Sequence, residues 1–283
     1  MTDIFNSSCM RVVARVCLVY GIAMALGVCG KVSAQSAGSG NDVKPHAPNQ
    51  QVTVSANLSP AELEDEKINE DYQPAFQLKM QEKCTEAIEK YNTVVIPRAE
   101  KAKYEKPRGK YLFLAYDDIG ECDLRTSKFA EAEAAFEKAR VHADTWPTKE
   151  DSSYAALFVT IGMAREYQGN WKGGQESLET AMALTQGYID KRSAKSGDEL
   201  AMEESNHMRK SQDTVMELLA AAYFRQGHKD EAFQMLDRAY DQATEYPAPE
   251  SARDDVVKMA LDMAGESGDA AEIAKWKERV KKE

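Results

Sequence analysis

The chain has 283 residues, with 36 Lys and Arg against 47 Asp and Glu, and 43% of its residues are hydrophobic. This composition excludes a collagen-like, disulfide-dense or wholly disordered chain and leaves room for one or two globular units. The net charge of -11 also argues against nucleic acid as a partner, because a nucleic-acid surface needs a concentrated excess of Lys and Arg.

Residues 1–34 have the pattern of a secretory signal peptide. Arg11 and Arg15 come before an uncharged apolar stretch at 16–30, and small residues follow that stretch. The stretch is shorter than the ~20 apolar residues that span a bilayer, whereas a positive start, a short apolar segment and a small-residue exit are typical of a cleaved signal. We predict cleavage after Ala34, export to the bacterial periplasm or medium, and no stable membrane insertion afterwards.

Two alternatives concern the same segment. Cys29 is the candidate lipid-bearing residue of a lipoprotein signal, although the branched Val28 precedes it where such signals carry a small residue. A protein anchored through Cys29 would stay at the membrane surface. The second alternative is a start at Met10, which gives a shorter signal with the same apolar stretch.

Residues 35–58 are predicted to form a disordered linker. They are rich in Ser, Gly, Asn, Gln and Pro and contain few large apolar side chains. Such a segment buries too little apolar surface to offset the conformational entropy that is lost on ordering. The linker would separate the signal peptide from the folded part of the chain.

Residues 59–283 have the pattern of an all-α domain. Ser59, Pro60 and Glu62 are typical of a helix start, with Ser as the N-cap, Pro at the first helical position and Glu three residues after the cap. No long segment alternates between polar and apolar residues as a β-strand does. We therefore predict helices throughout this domain.

Three segments of the domain repeat one pattern, at about 113–146, 155–188 and 213–246. In each, a small residue of a first helix precedes a small residue of a second helix by 12 positions: Gly120 to Ala132, Gly162 to Gly174, and Ala220 to Ala232. The residues predicted to pack where the helices cross are Gly120, Ala132, Phe136, Ala139, Gly162, Gly174, Leu178, Ala181, Ala220, Ala232, Leu236 and Ala239. The pattern indicates helical hairpins, which must stack because one hairpin cannot bury its own apolar face.

Two weaker repeats flank these three. At about 68–101, Ala75 and Ala87 keep the same 12-residue spacing, and Pro74 is the predicted start of the first helix. At about 254–283, a degenerate unit is predicted to shield the last repeat from water. The repeats would then fill most of the domain.

At these positions the sequence resembles the tetratricopeptide repeat (TPR) family, whose helix-turn-helix units of about 34 residues stack into a right-handed superhelix. The matching residues are Ile119, Gly120, Ala132, Phe136, Ala139, Ile161, Gly162, Gly174, Ala181, Tyr223, Ala232 and Ala239. The sequence departs from the family late in the first helix, where an aromatic residue is common, since Asp123 and Arg165 stand there. The resemblance implies an all-α solenoid of helical hairpins.

The resemblance also implies a concave groove, lined by the first helices, in which a partner protein or peptide binds. The residues expected on that side are Asp117, Glu121, Val159, Met163, Glu166, Glu217, Ala221 and Phe224. This mixture of carboxylates and apolar groups suits a partner segment that is basic and partly apolar. We therefore predict a non-catalytic protein-interaction scaffold of the bacterial envelope.

Cys84 and Cys122 are the two cysteines that remain after cleavage of the signal. Cys84 falls at the start of the second helix of the weak first repeat, and Cys122 lies near the end of the next first helix. Both positions are at the same edge of an antiparallel stack, so an oxidising compartment favours a disulfide between them. The alternative is that both are small buried apolar residues.

The sequence shows no evident catalytic or metal-binding motif. The four histidines do not pair with Cys, Asp or Glu at metal-ligand spacing, and GxSxG, CxxC and Gly-rich phosphate loops are absent from the sequence. We predict no cofactor and no metal. The alternative function is a helical-repeat enzyme or enzyme subunit that uses carboxylates as acid and base. Carboxylates that converge in a deep pocket with perturbed pKa values would favour that alternative.

Overall fold

The computed structural model describes residues 58–143, 145–146, 152–193, 199–245 and 250–280. These residues form helices and connecting turns without a β-strand among them, which confirms the predicted all-α class. The predicted signal peptide at 1–34 and nearly all of the predicted linker at 35–58 lie outside the described residues. In chain order the helices are α1 (Pro60–Met80), α2 (Cys84–Lys90), the π-helix π1 (Tyr91–Val95), α3 (Ile96–Glu100), α4 (Glu105–Arg125), α5 (Phe129–His142), α6 (Ser152–Tyr167), α7 (Trp171–Ser193), α8 (Glu199–Arg225), α9 (Lys229–Glu245), α10 (Glu250–Ser267) and α11 (Ala270–Val280).

Within the described ranges the helices pair as five hairpins, each with a first and a second helix. The pairs are α1 with α2, π1 and α3; α4 with α5; α6 with α7; α8 with α9; and α10 with α11. Each hairpin also packs against the next one along the chain. The two weaker repeats of the sequence correspond to the first and last of these hairpins.

All five hairpin turns have the same geometry. One residue in each turn has a positive φ: Glu82 (61°), Ser127 (60°), Gly169 (79°), Gly227 (85°) and Gly268 (71°). The amide of the following residue donates to the carbonyl five positions earlier, as Asn170 does to Arg165 at 2.9 Å. This left-handed cap ends the first helix and satisfies one of its last carbonyl groups.

Helix α1 begins where its sequence predicts. The Ser59 hydroxyl accepts a hydrogen bond from the Glu62 amide at 3.3 Å, and the Glu62 carboxylate accepts one from the Ser59 amide at 2.7 Å. This reciprocal pair is a capping box, with Pro60 at the first helical position. The prediction that Pro74 starts a helix is wrong, because Pro74 lies inside α1 and the helix continues through it.

The small residues of the repeat pattern lie at helix crossings. A Cβ atom on Gly120 would lie 2.5 Å from the Phe136 ring, and one on Gly174 would lie 3.1 Å from the Gly162 carbonyl oxygen. All twelve residues predicted to pack at the crossings are buried. Larger side chains at the glycine positions would force the paired helices apart.

The matching small residues of the third and fourth hairpins, Gly162 and Ala220, are far apart in the sequence because the helices between them are long. Helix α7 has 23 residues and α8 has 27, and the two helices also pack along each other. None of the helices that the structure describes is both long and apolar enough to cross a membrane.

The first helices of the three middle hairpins, α4, α6 and α8, form the interior of the array. In α4, 15 of 21 residues are buried, and in α6, 9 of 16 are buried. The second helices are more exposed, with 4 of 14 residues buried in α5 and 5 of 17 in α9. The hydrophobic core therefore runs along the first helices, and the second helices supply much of the outer surface.

Helix α11 closes the C-terminal end of the array. Its Trp276 is fully buried, and the Arg279 guanidinium lies 4.3 Å from the Trp276 ring and 4.4 Å from the Tyr240 ring. The Lys275 ammonium contacts the Asp237 carboxylate of α9 at 2.8 Å. The predicted terminal unit thus packs as a cap on the preceding hairpin.

Candidate functional site

The residues predicted to line the binding groove are not accessible in the structure. Asp117, Glu121, Val159, Met163, Glu166, Glu217, Ala221 and Phe224 are all buried, and none has more than 8% of its surface exposed. The prediction that they form an open groove is therefore wrong for the chain as described.

Packing between neighbouring first helices explains this burial. Val159 and Met163 on α6 belong to a hydrophobic cluster that also contains Val215 of α8. Ala221 and Phe224 on α8 pack in the next cluster, with residues of α9, α10 and α11. The sequence spacing identifies one helix face correctly, but in this array that face contacts the next hairpin instead of water.

A buried charged cluster takes the place of the predicted groove at the first two hairpins. The Lys79 ammonium at the end of α1 contacts both the Asp118 carboxylate and the Glu121 carboxylate of α4, the latter at 2.7 Å. The hydroxyl groups of Tyr72 and Tyr91 both donate to Asp118 Oδ2, at 2.7 Å and 2.6 Å. The cluster therefore joins α1 and π1 to α4.

The electrostatics of this cluster follow from its burial. Burial alone would lower the pKa of Lys79, but the attraction of Asp118 and Glu121 outweighs it and raises that pKa. The pKa of Asp117 is raised well above its ordinary value, first by burial and then by repulsion from Glu121. Lys79 thus stays charged, Asp117 favours its protonated form, and the polar groups face one another instead of an open cavity.

The π-helix π1 positions one of the two tyrosines. Tyr91 is its first residue, and the Tyr91 carbonyl accepts a hydrogen bond from the amide of Ile96, five residues later. A π-helical turn shifts the register of the following residues by one position and is frequent at functional sites. Pro97, which has no backbone N–H to donate, is the second residue after this segment.

Two further carboxyl groups of the inner helices have raised pKa values. Burial raises the pKa of Glu166 to about 8, and its Oε1 atom is buried without a hydrogen-bond partner. Burial likewise raises the pKa of Asp213 to about 7, although Gln242 donates a hydrogen bond to it at 2.7 Å. Buried carboxyl groups with raised pKa values are thus found on α4, α6 and α8.

An open cavity of about 370 Å³ lies at the other end of α1 from Lys79, between the start of α1 and the end of α3. It is lined by Pro60, Leu63, Glu64, Lys67, Ile68, Arg98, Lys101 and Ala102. The Glu64 carboxylate accepts hydrogen bonds from the amides of Lys103 and Tyr104, at 2.9 Å and 2.8 Å. The buried carboxylates of α4, α6 and α8 do not line this cavity.

The outward face of α1 is an exposed surface that matches the predicted partner chemistry. Glu62, Glu66 and Glu70 are exposed and four residues apart, so their side chains follow one helix face. Leu63 and Met80 on the same helix are 44% and 58% exposed. We call these five residues the α1 face.

The predicted cysteine pair comes together in the structure. Cys84 and Cys122 are both buried, and they are free thiols. The Cys122 thiol lies within hydrogen-bonding reach of the Cys84 thiol. The structure therefore brings the pair into contact, and the disulfide itself stays a prediction.

Within the described ranges no group of three or more His, Cys, Asp or Glu side chains has the arrangement of a metal site. The carboxylates of Asp118 and Glu121 are both held by Lys79. The cluster thus joins helices through its own charges.

The comparisons with known proteins give the fold. No protein-family model matches the sequence, and no curated protein matches it. Two solved structures of a Podosopora anserina kinesin-light-chain type protein with nearly identical TPR-like repeats are similar to this chain, and one of the two is a variant. Each is 17% identical, covers 77% of this chain and 94% of its own, and superposes with TM-scores of 0.56 and 0.55. The similarity shows that the chain has the TPR-like helical-hairpin fold.

Proposed function

We propose that this protein is a non-catalytic protein-interaction scaffold of the bacterial envelope. The observation that carries the proposal is the α1 face, where three exposed glutamates and Leu63 lie in the first half of the helix and Met80 is exposed at its last residue. Stacked hairpins present long surfaces that suit extended partners. Exposed apolar side chains beside charged ones are a common feature of protein contact sites.

The partner that fits this surface is a protein segment that is basic and partly apolar. The groove carboxylates predicted the same partner chemistry, but they are buried. Glu62, Glu66 and Glu70 instead supply the negative charge, and Leu63 and Met80 supply the apolar contacts. Complementary charge would raise the association rate and select against acidic partners.

The proposed location is the periplasm or the medium, after cleavage behind Ala34, with anchoring through Cys29 as the alternative. The pattern of charged, apolar and small residues in 1–34 supports export. The acidic net charge of the whole chain supports a protein partner over nucleic acid.

The alternative of a carboxylate-based enzyme has weaker support. It needs carboxyl groups with raised pKa values that line a pocket. The cavity beside α1 is lined by Glu64, and backbone amides hold the pKa of that carboxylate below its ordinary value. The separation between this cavity and the buried carboxyl groups therefore favours the scaffold.

Affinity capture with charge-reversed variants tests the proposal. The full-length chain with a C-terminal tag is expressed in its bacterial host, and the captured proteins are quantified by mass spectrometry. We expect a basic protein whose recovery falls about tenfold or more for Glu66→Lys with Glu70→Lys, since like charges then repel. The matched control is Glu131→Lys with Glu176→Lys, which reverses two exposed glutamates on α5 and α7 and should leave recovery unchanged.

Two results would contradict the proposal. One is equal recovery with both double variants, because binding would then not involve the α1 face. The other is a captured partner that is acidic at the site of contact.

A further inference from the structure

The two buried cysteines lie where three helices meet. Cys84 is the first residue of α2, and Cys122 is near the end of α4. Their residues are 5% and 0% exposed. Lys79 at the end of α1 and Asp118 on α4 are charged neighbours of the Cys122 thiol. In the folded chain, both thiols are therefore enclosed by the same helices that build the charged cluster.

Enclosure controls the reactivity of the pair. A disulfide forms when a thiolate attacks the sulfur of an oxidised partner, which must reach it. Burial and the adjacent Cys84 thiol raise the pKa of Cys122, so its thiolate is scarce. An oxidant from solution also has no direct path to sulfur atoms with such low exposure. Before α1 packs against α4, neither restriction applies.

We propose that the Cys84–Cys122 disulfide forms only before α1 packs over the pair, so that the redox conditions during folding decide whether the chain is bridged. The oxidant is a disulfide-bearing molecule, small or protein. One cysteine thiolate attacks that disulfide, which forms a mixed disulfide and releases the first thiol of the oxidant. The second cysteine thiolate then attacks the cysteine sulfur of the mixed disulfide, so that the new S–S bond forms and the second thiol of the oxidant is released. Two electrons pass to the oxidant, and the two protons of the pair pass to the released thiols or to solvent.

The bridge has a consequence for stability. It closes a loop from residue 84 to residue 122 and restricts the unfolded chain. For a loop of this length we expect the melting temperature to rise by roughly 5–15 °C. The folded array then holds α2 against α4 by a covalent bond as well as by packing, and it keeps this difference after the redox conditions change.

Oxidation from two starting states tests the proposal. The full-length chain with Cys9, Cys17 and Cys29 changed to Ser carries only this thiol pair. The reduced chain is exposed to glutathione disulfide either folded, or unfolded in denaturant and then refolded. Thiols are alkylated under denaturing conditions and located by peptide mapping. We expect most refolded chains to be bridged, with a higher melting temperature, and the folded chain to be bridged at least about 100-fold more slowly.

Cys84→Ser and Cys122→Ser are the controls for accessibility. Each leaves one thiol, which should form a glutathione adduct in the unfolded chain and resist it in the folded chain. Equal bridging rates from both starting states would overturn the proposed protection. No bridge after refolding, or a bridged chain that does not recover its helical content, would overturn the pairing itself.

Discussion

Glu82 and Ser127 occupy turn positions where the other three hairpins have glycine. Their φ angles of 61° and 60° lie in the left-handed region, which costs an L-residue about 1–2 kcal/mol. Glycine adopts this conformation without that cost, although it loses more entropy on folding. The two residues are therefore strained relative to Gly169, Gly227 and Gly268.

Glu82→Gly and Ser127→Gly should each stabilise the protein by about 0.5–1 kcal/mol, because relief of the left-handed strain exceeds the added entropy loss. Gly227→Ala is the reciprocal change and should destabilise it by about 1 kcal/mol. Urea denaturation gives the three free energies of unfolding. A loss of stability in both glycine variants would contradict the common turn geometry.

Glu166 makes the stability of the folded protein depend on pH. Its pKa of about 8 in the folded chain is above the ordinary value of 4.5, so the folded state holds a proton that the unfolded state releases. This contribution to stability is complete below pH ~4.5 and is lost as the pH rises through about 8.

Relative to Glu166→Gln, the wild-type protein should therefore lose about 1.4 kcal/mol of unfolding free energy per pH unit between those two values. Glutamine keeps the size of the side chain but does not titrate. Denaturation of both proteins at pH 5, 7 and 9 measures the difference. A flat difference for Glu166→Gln would refute the buried, protonated carboxyl.

At the scale of helices, close approach depends on glycine at some positions and not at others. Gly120 faces the Phe136 ring at the crossing of α4 and α5, whereas a Cβ on Gly187 of α7 would have no neighbour within 4 Å. Both residues lie inside helices, so their helix propensity is the same. Alanine substitutions at the two positions thus separate the effect of packing on stability from the effect of helix propensity.

Gly120→Ala should destabilise the protein by about 1–3 kcal/mol, because the aromatic ring or the whole helix must move. Gly187→Ala should stabilise it by up to about 1 kcal/mol through helix propensity alone. Chemical denaturation of both variants makes the comparison. The same sign of change in both would show that α4 and α5 do not cross at Gly120.

The buried charged cluster also determines how strongly α1 is held against α4. Lys79→Met should destabilise the protein by about 3–5 kcal/mol, because Asp118 and Glu121 then share a buried site without their cation. Lys83→Met changes an exposed lysine in the turn that follows α1, and we expect an effect below about 0.5 kcal/mol. Comparable losses in the two variants, measured by denaturation, would show that the cluster does not join α1 to α4.

Local patterns predict the helix start at Ser59 and the small residues at the crossings, since each depends on residues that are near in sequence. The location of the carboxylates depends on distant partners. Asp118 is buried because Lys79 and two tyrosines from other helices reach it. The same holds for Arg165, which departs from the TPR pattern and bonds to Glu133 and Glu137 of the preceding hairpin, at 2.7 Å and 3.1 Å. No spacing rule encodes such contacts.

The whole molecule is an array with two different ends. The C-terminal end is closed by Trp276 and the ion pairs of α11, whereas the α1 face leaves Leu63 and Met80 exposed at the N-terminal end. Between these ends the first helices form the core. The proposed partner therefore meets the α1 face, and the acidic interior contributes to stability and its pH dependence instead of to binding.

Hydrogen exchange of the free protein, resolved by peptide, tests this arrangement most directly. If the first helices are the core, amides of α4, α6 and α8 should exchange only through near-global unfolding, at least about 100-fold more slowly than those of α5 and α9. Faster or equal exchange in α4, α6 and α8 would mean that these helices line an open surface, which contradicts a core built from the first helices.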